Sequence, residues 1–259
     1  MKESQLALNY DKFQLLILGK TKRLIPSIKL EMEGHTIAES TQCKILELIL
    51  NNKLDWRNHI LSLIPKLRKT TMILKRIKNT VSNDDLRKLA VGTFISKIQY
   101  GITVYGNAKL TQNDPLPRNT ARLQVMTNKM MRLIKPGRNT VREWGAEKLC
   151  THLKFLSVNQ MVIKFKLLEI WKCINMENYP LSEKISTILN KNISKSQIIT
   201  RSTRNNTLRP EIGSKLQKSN LLGQGAYLWN EAPLDFKTAK TYQNAKKIAN
   251  RIAKTYPIK

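Results

Sequence analysis

Acidic residues, cysteines, histidines and aromatics are all scarce in this chain. Its 259 residues hold 18 Asp+Glu against 46 Lys+Arg, with 3 Cys, 3 His and 6% aromatics. Each scarcity excludes something. Cys43, Cys150 and Cys173 are far apart and odd in number, so they form neither a CxxC pair nor a zinc knuckle. They read as ordinary thiols of a reducing compartment. His35, His59 and His152 never pair at i, i+4 or with a cysteine at ligand spacing, which argues against a zinc centre. GxGxxG, GxxxxGK[ST] and GxSxG are all missing, so dinucleotide, P-loop and serine-hydrolase chemistry has no signature here. No run approaches the ~20 apolar residues of a membrane span. The first residues, MKESQLALNYDK, lack the apolar core and cleavage site of a signal peptide. The expectation is an intracellular protein or the cut end of one, in nucleus or cytoplasm, with no membrane partner.

What is present in excess is positive charge. The formal charge is +28, a field that attracts polyanions, with nucleic acid first and an anionic membrane surface second. The excess is unevenly placed. Residues 1–60 carry 9 basic and 7 acidic side chains; residues 61–259 carry 37 and 11. Two basic sets stand out after that step. Lys66, Lys69 and Arg76 fall opposite the apolar residues Ile60, Leu63, Ile64, Leu67 and Leu74 of one helical pattern. Lys129, Arg132, Lys135 and Arg138 form the second set. Contacts from such groups to phosphates would be salt-dependent and indifferent to sequence.

The single acidic pair, Asp84-Asp85, could hold Mg²⁺ for phosphoryl transfer. A simpler role is stronger: the pair follows Ser82, a good N-cap, and negative charge suits a first helical turn. No metal ligand and no cofactor is assigned. The four tryptophans, Trp56, Trp144, Trp171 and Trp229, are isolated and read as core anchors rather than a base-stacking platform.

Along the chain, FQLLILG (13–19), SIKLEM (27–32), a turn at Gly34 and CKILELIL (43–50) predict a small antiparallel sheet, although so short a run as the last also suits a helix. From Trp56 the period becomes helical. Pro65 predicts a kink there, or a helix starting a turn or two later. Helices are expected over 82–98, with Leu86, Leu89, Ala90 and Phe94 inward, then over Arg118–Ile134, about 141–175 and about 240–255. Residues 178–220 read as loop-rich, and LLGQGAYLWNEAP as a glycine-punctuated apolar patch.

These segments carry a family likeness. KLDWRNHI (53–60), followed by a Lys-rich helix, resembles the LxWxxHI segment of non-LTR (LINE-type, jockey-like) retrotransposon reverse transcriptases. LALNYDK (6–12) is similar to the family's LxxNxxK, with Asn9 and Lys12 matching. IQYGITVYG (98–106) resembles its "YG…WG", through Tyr100 and Gly101, with Tyr105 where Trp is usual. LQVMTNKMMRLI (123–134) resembles "LQ…QNKALR.I". AYLWNEAP resembles "LWNxLP", through Trp229 and Asn230. The order and spacing cover roughly the whole chain. Departures occur at Glu47, where Gly is usual, at Phe13 after the motif lysine, and at Ala245 for Phe.

The resemblance implies the end of a palm sheet, a helical thumb and a basic C-terminal region. The fold expected is α+β, mainly α: a sheet remnant over 1–55, a thumb-like bundle over 56–138 and a partly irregular basic region over 139–259. It implies as partner an RNA template or an RNA–DNA or DNA duplex, held by phosphates. The family's F/YxDD turn and its partner aspartate would lie before LALNYDK, so no catalytic residue is assigned and Lys12 matches only by position. Mg²⁺ would belong to an intact polymerase. Trp56, His59, Tyr100, Gly101, Trp229 and Asn230 are expected to be structural. The alternatives are an unrelated basic helical RNA- or DNA-binding protein, and an interaction module with no nucleic-acid role. Oligomeric state is open.

Overall fold

The structure, a computed structural model, describes Asn9 and residues 12–18, 28–135, 144–176, 178–181, 208 and 221–258. Among the described residues the chain is α+β and mainly α, with two two-stranded antiparallel sheets. It divides into two compact units, Met1–Leu63 and Ile64–Lys259.

In the first unit, β1 (Lys29–Met32) pairs with β2 (His35–Ala38). Glu33 and Gly34 form the two-residue turn with φ of 47° and 80°, the left-handed pair that matches strand twist. CKILELIL does not form one run. β3 (Gln42–Ile45) turns at Leu46-Glu47 and returns as β4 (Leu48–Asn51). Both turn residues have positive φ, 47° and 66°, without being glycine, which costs roughly 1–2 kcal/mol each. Glu47, where the resembled family has Gly, therefore sits where glycine would be unstrained. The expected strand at FQLLILG is also corrected. Its Leu15 makes only an isolated bridge to Glu39, and Gln14 Oε1 accepts from Lys44 N–H at 3.1 Å.

KLDWRNHI is a brace ahead of a helix. Leu54 and Trp56 both have positive φ, 50° and 58°. Asp55 Oδ1 accepts from Asn51 Nδ2 at 2.8 Å and from Arg57 N–H at 2.9 Å, while Asp55 N–H donates to Asn51 Oδ1 at 3.2 Å. These bonds hold the strained pair and satisfy one N–H group of the helix start. Burial pushes the Asp55 carboxyl up, but the Arg57 N–H, the Asn51 amide and the charges of Arg57 and Lys53 together hold it below the usual carboxylate value. α1 (Arg57–Ile77) begins directly after Trp56 and runs through Pro65, so the later start is ruled out. Trp56 is half-buried and its carbonyl accepts from Ile60 N–H at 3.1 Å; His59 is buried.

In the second unit Leu67, Thr70 and Leu74 of α1 are buried, the inward stripe expected from their spacing. Ser82 caps α2 (Asn83–Ala90), accepting from Asp85 N–H at 3.1 Å and donating to Asp85 Oδ2 at 2.7 Å. A π turn (Val91–Ile95) and a short α segment (Ser96–Gln99) continue the helix. The extra residue rotates the stripe. Leu86, Ala90, Phe94 and Ile98 are fully buried, while Leu89, expected inside, is exposed.

Gly101 then adopts φ of 67°, and α3 (Ile102–Tyr105) follows. Tyr100 is exposed; Tyr105 is buried with its hydroxyl donating to Ile98 O. A Cβ at Gly106 would lie 2.3 Å from Ile102 O and 2.8 Å from Val162 Cγ2, so only glycine fits this crossing. α4 spans Arg118–Ile134, buries Leu123, Met126, Met130 and Met131, and ends as Lys135 turns extended. The expected helix over 141–175 is two helices. α5 (Ala146–Leu153) stops where Lys154 turns left-handed at φ of 54°, and α6 (Val158–Asn175) restarts with a Ser157/Gln160 capping box.

α6 is the centre of the unit. It buries residues around most of its circumference, among them Val158, Met161, Val162, Ile163, Leu167 and Trp171. Such a helix must be surrounded. Around it lie α3, α4, α7 (Leu221–Glu231) and α9 (Tyr242–Thr255), the last reached through the short α8 (Leu234–Lys237). The expected apolar patch LLGQGAYLWNEAP is thus largely helix α7. Most of the expected loop-rich stretch 178–220 lies outside the described residues.

Candidate nucleic-acid interface

α1, α4 and α9 share one property: none contains an acidic residue. On α1, Lys66, Lys69 and Arg76 are exposed, together with Arg68 and Lys75, which the sequence reading did not single out. Their spacing explains the shared placement. The inward stripe at 67, 70 and 74 leaves 66, 68, 69, 75 and 76 on the outer arc. From Lys66 to Arg76 this face is about 15 Å long at the α-helical rise. Lys66, Lys69 and Arg76 lie within about 80° of one another around the axis, whereas Lys75, nine residues from Lys66, stands half a turn from it. Duplex DNA, with one negative charge per about 1.7 Å of axis, can meet the first three together. Met72 and Ile73 lie on the same outer face and are exposed. Inward, Lys97 Nζ donates to Thr70 Oγ1 at 2.7 Å, fastening the α2 continuation to α1.

The second basic set is split by the structure. Lys129 is exposed on α4. Arg132 is half-buried and donates from Nη2 to Trp144 O at 3.2 Å. Lys135 is buried, with its ammonium 3.6 Å from the Trp144 ring centre, a cation–π contact. Lys148 Nζ lies 5.6 Å from the same centre, and His152 meets the indole edge-on at 5.1 Å. Trp144 thus gathers cations, and beside it an open cavity of about 610 Å³ is lined by Trp144, Gly145, Glu147, Lys148, Thr151 and His152. Arg138 lies outside the described residues.

The residues expected to be structural are placed as follows. Trp229 is fully buried and meets Phe236 at 6.0 Å in a T-shaped pair. Asn230 clamps one residue of backbone: its Oδ1 accepts from Leu208 N–H at 2.7 Å and its Nδ2 donates to Leu208 O at 2.8 Å. Lys12 is exposed, and its N–H donates to Asn9 O at 3.2 Å. Asp85 serves the α2 cap. Its carboxyl is held below the usual value by Ser82 and then Lys88. Among the described residues no group of three His, Cys, Asp or Glu could hold a metal ion, and no helix is long and apolar enough to cross a membrane.

A polar network that the sequence does not announce ties the unit together behind these faces. Gln224 Oε1 accepts from Ala108 N–H at 3.0 Å and from Lys166 Nζ at 2.7 Å, and Gln224 Nε2 donates to Asn107 Oδ1 and Ala108 O. Lys166 is fully buried, and burial pushes its ammonium down to about 7. Asn159 pairs with Lys109 N–H and O at 2.8 and 3.0 Å and reaches Pro257 O at 2.8 Å. Lys166 is therefore a lysine of the interior, unlike those of the outer faces. The arrangement as a whole leaves exposed lysines and arginines on helices without acidic residues. Comparison with family models, with curated proteins and with solved structures finds no match to this chain.

Proposed function

We propose that this chain is a nucleic-acid-binding part of a non-LTR retrotransposon reverse transcriptase, gripping a template–primer duplex by its phosphates and not polymerising alone. The observation that carries the binding is the outer face of α1. Lys66, Arg68, Lys69, Lys75 and Arg76 are all exposed on one helix that has no carboxylate of its own. A polyanion relieves the mutual repulsion of such a face and gains by releasing condensed counterions. Lys129 extends the same chemistry to α4. The ordered motif likenesses from LALNYDK to AYLWNEAP support the reverse-transcriptase part of the reading. No F/YxDD turn occurs in the sequence, and two-metal nucleotidyl transfer needs those carboxylates.

Filter binding tests the first part. Duplex, RNA–DNA hybrid and single strands are all expected to be retained at about 50 mM salt, with affinity falling by orders of magnitude toward about 200 mM. The triple variant Lys66→Gln/Lys69→Gln/Arg76→Gln should weaken binding equally for all sequences. It should reduce the salt slope by up to about 2.7, at about 0.9 per lost phosphate contact. Failure of the wild type to retain any nucleic acid at low salt sinks the proposal. A primed RNA template tests the second part, since extension by this chain alone would overturn it.

A further inference from the structure

A second cationic surface lies where α6 and α9 pack side by side. The two helices run antiparallel: Gln160 Nε2 donates to Tyr256 O at 3.1 Å at one end, and the Trp171 and Tyr242 rings meet at 6.2 Å at the other. Midway, Lys164 Nζ donates to Asn250 Oδ1 at 3.1 Å. Lys246 and Lys254 stand four residues before and after Asn250, one turn to each side on the same ridge, and both are exposed. One ammonium is thus bonded to the Asn250 amide, and two exposed lysines flank that amide a turn away on either side. Among the described residues, none of the three forms an ion pair with a carboxylate.

The neighbouring acids are engaged elsewhere. Glu169 is held by Lys172 at 3.4 Å and by the Tyr179 hydroxyl, and Asp235 pairs with Arg251. Burial and then the charges of Lys246 and Lys254 lower the pKa of Lys164, so both flanking lysines act on the central one. Lys164 is half-buried, so its ammonium has lost part of its hydration. An anion with several oxygens can accept from all three at once and restore what the lysines lack.

We infer that the α6–α9 ridge, Lys164, Lys246 and Lys254 around Asn250, is a phosphate-binding site. Resting on the function proposed above, its natural occupant is a phosphodiester of the nucleic-acid backbone, so the duplex has a second anchor besides α1. Fluorescence anisotropy with a 20-base-pair duplex, titrated from about 50 to about 200 mM salt, tests this. The variant Lys246→Gln/Lys254→Gln should lower the salt slope by about 0.9, the loss of one phosphate contact, while its thermal midpoint stays equal or rises as repulsion is removed.

An unchanged slope in this variant, with Lys66→Gln/Lys69→Gln/Arg76→Gln still weakened, overturns the ridge and leaves the function proposed above intact. Should the wild type bind no nucleic acid, that function fails and inorganic pyrophosphate decides the ridge alone. A thermal midpoint raised by millimolar pyrophosphate in the wild type and not in Lys246→Gln/Lys254→Gln supports a site for free phosphates. An equal rise in both, or none in either, refutes it.

Discussion

Lys166→Met should make the helical unit more stable at neutral pH and remove a pH dependence that the wild type shows. Lys166 is fully buried on α6, with Gln224 Oε1 at 2.7 Å from its ammonium. Burial alone takes its pKa from 10.5 to about 7. At about 1.4 kcal/mol per pH unit, that fall corresponds to roughly 5 kcal/mol of penalty on the charged form. Relaxation and water penetration reduce such penalties, and replacing buried charges by apolar groups of similar volume gains about 1–4 kcal/mol. Methionine keeps the volume and flexibility of the lysine stem. Gln224 Oε1 keeps the Ala108 N–H as a donor at 3.0 Å after the substitution.

The direction follows from proton counting. Below about pH 7 both folded and unfolded chains hold the proton, and the full penalty applies. Between about 7 and 10.5 the unfolded chain binds a proton that the folded one does not. Wild-type stability therefore climbs with pH in that window, by up to about 1.4 kcal/mol per unit. The variant lacks this climb, so its advantage is greatest near pH 6.5 and gone near 10.5. Urea unfolding of both proteins at several pH values between these limits measures it. Parallel profiles, with a difference that does not change with pH, would refute the argument that an ionisable group in a dry interior sets the cost.

Two further predictions concern the first unit. Asp55→Ala removes the acceptor for Arg57 N–H and the partner of Asn51, and should cost about 1–2 kcal/mol. Because the folded carboxyl titrates below its ordinary 3.8, the loss should be complete above that pH and vanish as pH falls through the lower folded value. Urea curves that fail to converge in acid would contradict this. Glu47→Gly should stabilise the β3–β4 hairpin by about 0.5–1 kcal/mol, since φ of 66° costs a Cβ-bearing residue more than glycine loses in chain entropy. Slower amide exchange in β3 and β4 is the expected readout, and faster exchange would show that the exposed Lys44–Glu47 ion pair at 2.6 Å outweighs the strain.

Several elements were legible because the forces that form them act over a few residues. Gly34 marked the first hairpin, Ser82 and Asp85 marked the start of α2, and the spacing of Leu123, Met126 and Met130 placed α4 at Arg118–Ile134. The second hairpin was hidden because Leu46 and Glu47 make a left-handed turn without a turn residue. The break before α6 was written in Ser157 and Gln160, a capping box masked by continuous helical periodicity on both sides. The outer face of α1 was legible as soon as its inner stripe was, since one implies the other.

The sequence by itself determined the charge, its step near residue 60, the helical stretches and the absence of the usual catalytic signatures, all of which depend on composition and short-range sterics. Beyond α1, tertiary structure decided which cations face water. Lys129 on α4 and Lys135 just past its end stand six residues apart, yet one is exposed and the other lies against Trp144. Lys164 and Lys166 are two residues apart, yet one edges a cationic ridge with α9 and the other is sealed against Gln224. Their partners are 86 and 58 residues away in the chain, and burial set by such distant packing is not encoded in local pattern.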